Sequence, residues 1–87
     1  MRYRVTFDSQ AFRALDKLPP DARQRVITRA EALADDPRPS GCKHLVGRPV
    51  RYRIRCGEYR LVYQVKDDVL LVLVLRVAHR KRVYKDG

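Results

Sequence analysis

From Val50 to Gln64 the chain reads VRYRIRCGEYRLVYQ, with Arg51, Arg53 and Arg55 at alternate positions and Arg60 just beyond a Gly57-Glu58 pair. A guanidinium keeps its charge at physiological pH and can grip two oxygens of one phosphate. Alternation at period two describes a β-hairpin, with Val50, Tyr52, Ile54 and Cys56 on one face and the arginines on the other. If Gly57 and Glu58 form a two-residue turn, Arg55 stands opposite Arg60, Ile54 opposite Leu61, Tyr52 opposite Tyr63 and Val50 opposite Val65. Like charges facing each other across strands cost up to about 1 kcal/mol. A sequence that had only to fold gains nothing from that arrangement, so a polyanionic partner is expected on the arginine face.

The 87 residues carry a formal net charge of +10, beyond what solubility asks of a small domain. Met1 to Cys42 holds 8 Lys/Arg against 6 Asp/Glu, whereas Lys43 to Gly87 holds 12 against 4. The excess therefore belongs to the half that contains the hairpin, and it suits attraction of phosphate backbones by counterion release and steering. The length fits a single domain over residues 1–87, able to bury about 60% of its unfolded surface. The longest apolar run, Val69 to Leu75, is too short to span a bilayer, and the N-terminus enters a strand pattern without a signal-peptide core. A cytoplasmic location is expected, with no membrane partner. Cys42 and Cys56 match no metal or redox spacing and read as free thiols suited to a reducing compartment. No cofactor and no metal site is expected.

The elements that must position the arginines follow from pattern and turn chemistry. Arg2 to Phe7 alternates Tyr3, Val5 and Phe7 with Arg2, Arg4 and Thr6, as a half-buried strand does. Asp8 or Ser9 offers an N-cap to a short helix with Phe12, Leu15 and Leu18 at helical spacing. That helix must end by Leu18, because Pro19-Pro20 cannot continue it, and a second starts near Pro20, where proline is welcome. Val26, Ile27, Ala30, Leu33 and Ala34 form its apolar stripe, and Asp36-Pro37 stops it. After a PRPSG loop, three strands complete the sheet, with Asp67-Asp68 the turn into a nearly unbroken apolar strand from Val69 to Val77. The predicted order is β-α-α-β-β-β, an α+β fold with a small antiparallel-rich sheet and a two-helix hairpin packed on one face.

With that order and that hairpin, the chain resembles the toxins of the RelE/ParE superfamily, in its RelE-like branch. The likeness rests on KLPP at Lys17–Pro20, L-x-G-x-P at Leu45–Pro49, YRIRCGEYRLVYQV at Tyr52–Val65 and LRVAHRKRVY at Leu75–Tyr84. Each piece is weak alone; in this order they span nearly the whole chain. The resemblance implies a ribosome-dependent endoribonuclease that cuts messenger RNA in the decoding site and is restrained by a cognate acidic, RelB-like antitoxin. It also implies that Arg53, Arg55, Arg60 and Arg80 match basic positions around the scissile phosphate, and that Tyr84 matches a C-terminal aromatic that stacks on or polarises the base. The best-studied relatives carry lysines where this chain has Arg53 and Arg55.

That difference bears on proton transfer. Attack of a 2′-hydroxyl on the adjacent phosphate requires removal of its proton, neutralisation of a phosphorane and protonation of the leaving 5′-oxygen. Arginine suits the middle task and cannot serve as a base. An imidazole is the side chain suited to proton transfer near neutrality, which makes His79 the candidate. Counting from a two-residue turn at Asp67-Asp68 places Leu71, Leu73, Leu75, Val77 and His79 on the face of Arg60, with Arg76 and Arg80 opposite, so a bulge or strand end is expected near Ala78. Arg51, Lys81, Arg82 and Lys85 read as RNA contacts, the last three equally open to an antitoxin; Arg23, Arg25 and Arg29 share that reading with a plain solvated helix face. Two other functions fit the charge: a ParE-like inhibitor of DNA gyrase, and a non-catalytic RNA- or DNA-binding module.

Overall fold

Residues 2–79 are described in the structure, a computed structural model, and among them run β1 (Arg4–Phe7), α1 (Ser9–Asp16), α2 (Pro20–Ala32), β2 (Lys43–Leu45), β3 (Arg51–Cys56), β4 (Tyr59–Lys66) and β5 (Leu71–His79). The strands form one mixed sheet in the order β1-β5-β4-β3-β2, with β1 parallel to β5 and the other pairs antiparallel. This is the expected α+β architecture with one further strand. β2 was not anticipated, because three residues of the sequence Lys-His-Leu show no period; its pairing with β3 makes it a strand.

Asp8 caps α1 by accepting a hydrogen bond from the Ala11 amide at 2.8 Å, satisfying one of the helix's orphan donors. Leu18 is the last residue before the double proline, and α2 begins on Pro20 with Asp21 in its first turn, where a carboxylate meets the positive end of the dipole. The helix closes at Ala32 with Leu33 as its C-cap, short of the Asp36-Pro37 stop. Both helices lie on one face. Ala11, Leu15, Val26, Ala30 and Leu33 meet Ile54, Leu61, Tyr63, Val72, Val74 and Val77 from the sheet, and each large side chain buried in this layer contributes about 1.5–3 kcal/mol. Phe12 is not part of this layer: it is 58% exposed, because Ala11 and Leu15 take the inward positions of α1.

The loop after α2 is fastened to the sheet. Tyr63, fully buried, donates its hydroxyl to the Pro37 carbonyl at 2.8 Å, and burial pushes that phenol well above its ordinary range. Arg38 donates to both carboxylate oxygens of Asp67, at 3.2 and 2.7 Å, and to the Tyr52 hydroxyl at 3.0 Å. Tyr3 donates to the same carboxylate, tying β1 to the β4–β5 connection. Hydrogen bonds from Arg38 and then Tyr3 hold Asp67 below the usual carboxylate range. That connection is longer than expected: a 3-10 turn spans Asp67–Val69, Leu70 adopts φ +51, and β5 starts at Leu71.

Candidate nucleic-acid interface

The hairpin closes as its sequence requires. Gly57 adopts φ +59, a left-handed conformation in which a side chain is disfavoured, and the pairs run Cys56 with Tyr59, Arg55 with Arg60, Ile54 with Leu61 and Tyr52 with Tyr63. Ile54, Leu61 and Tyr63 turn to the helices, so Arg53, Arg55 and Arg60 turn away from them. Val50 lies just before β3, and the regular pairing ends at Tyr52.

A register shift changes the far side of this face. Val62 pairs with Arg76 and Tyr63 with Val74, which leaves Leu75 as an extra residue in β5. The bulge lies at Leu75 and not near Ala78. It returns Val77 to the core and brings Arg76 to the arginine face, correcting the placement expected from uniform alternation. Lys43, Arg53, Val62 and Arg76 now form one row across four strands, and Arg55, Arg60 and Ala78 form the next. At about 4.8 Å between strands, these cations span a patch on the scale of one or two nucleotides. Arg55 and Arg76 are exposed, Arg53 is intermediate, and Arg60 is only 4% exposed. A charge so placed acts through a lower dielectric than bulk water and is felt more strongly by an approaching phosphate.

The bulge moves His79 as well. It pairs with Tyr59, on the helix face, and their rings meet edge to face at 5.4 Å. Its Nε2 lies 3.8 Å from a Glu58 carboxylate oxygen, an ion pair whenever the imidazole is protonated. The expectation that His79 shares a face with Arg60 is therefore corrected. His79 instead lines a cleft of about 700 Å³ between α1 and the end of β5, together with Arg13, Lys17, Tyr59 and Leu75. The Arg51 side chain lies beside the loop before β3: Gly47 adopts φ +116, and a Cβ there would stand 3.8 Å from Nη2 of Arg51. Of the other expected site residues, Arg80, Tyr84, Lys81, Arg82 and Lys85 lie outside the described residues. Sequence reasoning missed Arg76 and Lys43. Arg76 depends on a bulge inside an apolar run, and Lys43 on a three-residue edge strand.

Cys42 and Cys56 are free thiols, and burial pushes the Cys56 thiol up. Among the described residues no cluster of His, Cys, Asp and Glu is arranged to hold a metal ion, and no helix is long and apolar enough to cross a membrane.

A sequence model of the family described as "ParE toxin of type II toxin-antitoxin system, parDE" matches residues 5–84. The chain belongs to the RelE/ParE superfamily of toxins. Within it, the RelE-like chains are similar throughout their length. Toxin RelG of Mycobacterium tuberculosis (strain ATCC 25618 / H37Rv) is 36% identical over 92 residues, covering 98% of this chain and 99% of RelG. The mRNA interferase toxin RelE of Escherichia coli (strain K12) is 36% identical over 91 residues, covering 100% of this chain and 95% of that one. Among solved structures, the archaeal RelE-RelB complex from Pyrococcus horikoshii OT3 superposes with a TM-score of 0.81 at 30% identity, covering 94% of this chain and 99% of the matched one. The RelE/ParE fold of this chain thus follows from its sequence and its structure alike.

Proposed function

We propose that this RelE-like toxin is a messenger RNA endoribonuclease that works on the ribosome, cleaving by attack of a 2′-hydroxyl on the adjacent phosphate without need of a metal. The observation that carries this reading is two adjoining arginine rows, Arg53 and Arg76 on either side of Val62 and Arg55 paired with Arg60, on a sheet face turned away from the helices. Full-length similarity to a relative named an mRNA interferase supports it.

In this reading Arg60, nearly buried, faces the phosphorane, with Arg55 across the strand and Arg53 in the adjoining row. Guanidinium groups fixed in advance stabilise charge that develops during reaction, and a single such donor is worth roughly a hundredfold to a thousandfold in rate. Arg80 and Tyr84 are proposed, from the resemblance alone, as a further phosphate contact and a base-stacking group. Proton transfer by His79 would require the ribose to reach round the end of β5, since the imidazole lies on the other face. The ribosome supplies what so small a protein cannot, a message held in line for attack.

The partner proposed for the free toxin is an acidic RelB-like antitoxin that wraps the basic sheet, in keeping with the RelE-RelB complex of the archaeal relative. Cleavage is tested by single-turnover reaction of the purified toxin with programmed ribosomes. The account expects cuts within the decoding-site codon and weak cutting of the same RNA alone. Intact message on ribosomes that bind the toxin would overturn it. A second reading, inhibition of DNA gyrase, is favoured by the family description that names ParE. It predicts gyrase-linked DNA breaks with messages left whole.

A further inference from the structure

Beside the arginine face, at the edge where β2 stops pairing with β3, the chain forms a notch of about 430 Å³. Its wall includes Arg29, Lys43, Arg53 and Arg55, with Ser40 and Gly41 completing it. Among the described residues no acidic side chain lines it. The cations come from three separate elements. Lys43 stands directly opposite Arg53 on β2, and Arg29 reaches from the far side of the sheet, where its Nε donates to the Arg55 carbonyl at 3.4 Å. That contact places the Arg29 guanidinium at the strand edge. The neighbouring helix arginine behaves differently: Arg25 turns along α2 toward Asp21 at 3.6 Å, with both side chains largely exposed. The basic face of α2 is therefore not uniform, and Arg29 is the residue committed to the sheet.

Bringing four cations round one concavity is electrostatically unfavourable in the free protein and becomes favourable when an anion enters. Because Arg53 and Arg55 belong both to this notch and to the proposed cleavage face, the two sites are continuous. We infer that the notch holds a phosphodiester of the message strand next to the one being cut, with Arg29 reaching it from α2 and Lys43 from the edge end of the first row. This rests on the proposed function and extends it: the notch sets the path of the strand and leaves the chemistry to the rows beside it.

The test uses the full-length toxin and ribosomes programmed with a message whose decoding-site codon carries 2′-O-methyl groups, so that binding is read without cleavage. Lys43→Gln and the Arg29→Gln/Lys43→Gln double variant are compared with wild type, with Arg29→Lys as a charge-conserving control and thermal unfolding to confirm folding. The double variant is expected to bind about tenfold more weakly or worse, as for lost charge-assisted hydrogen bonds. Its plot of log affinity against log salt is expected to be shallower by about 1. Replacing one neighbouring phosphate by a neutral methylphosphonate is expected to weaken wild type by a similar factor and to leave the double variant almost unaffected. Equal weakening on ribosomes with no message would assign the notch to ribosomal RNA and overturn the inference, as would loss of antitoxin affinity with ribosome binding intact. If wild type itself fails to bind programmed ribosomes, it is the proposed function that falls. If wild type binds and the variants match it, the notch alone is refuted.

Discussion

At the scale of single residues, the proposed site has its arginines on one face of the sheet and its imidazole on the other. Arg60→Ala removes a nearly buried cation aimed at the proposed phosphorane, and single-turnover cleavage on ribosomes is expected to fall about a hundredfold or more while the protein stays folded. A wild-type rate in that variant would remove Arg60 from the mechanism. His79 gives the opposite test. Because the Leu75 bulge turns the imidazole to the helix face, against Tyr59 and toward Glu58, His79→Ala is expected to lower activity modestly and to preserve the pH dependence of cleavage. A profile that flattens between about pH 5.5 and 7.5 on removing the imidazole would return proton transfer to His79.

At the scale of elements, the sheet presents its arginines through two devices of different legibility. The Gly57-Glu58 hairpin could be read directly, since alternation fixes which residues face inward and a two-residue turn fixes the register. Val5, Phe7, Val26, Ala30 and Leu33 were equally legible from period. The bulge at Leu75 could not be read, because VLLVLVL is apolar at every position and a one-residue slip leaves no trace in such a run. β2 was invisible for the opposite reason: it is too short to show a pattern and exists by pairing to an edge. Phe12 was misjudged because its spacing fits the stripe, whereas the smaller Ala11 packs closest to the sheet. The loop that precedes β2 yields two stability predictions. Tyr63→Phe leaves the Pro37 carbonyl without its donor and is expected to cost about 1 kcal/mol in urea unfolding. Asp67→Asn is expected to destabilise at neutral pH, and the gap from wild type to close in acid. The folded carboxyl titrates below its unfolded value of about 3.9, so its contribution is full above that value and is lost as pH falls through the lower folded one. A gap that persists to pH 2 would show that the Arg38 and Tyr3 contacts act through packing.

For the molecule as a whole, a net charge of +10 concentrated in the second half suits one surface to both proposed partners, message and antitoxin. An acidic antitoxin that neutralises the arginine face is expected to slow hydrogen exchange in β3 and β4; protection confined to a distant surface would contradict that picture. On the proposed function, the same charge is expected to make binding to ribosomes steeply salt dependent. The central claim is that the arginine rows cut message in translation, and primer extension on cellular messages after induction tests it most directly. The account predicts growth arrest with new 5′-ends inside codons of the reading frame, and neither effect with folded Arg60→Ala expressed to the same level. Growth arrest with intact messages and gyrase-linked DNA breaks would contradict it.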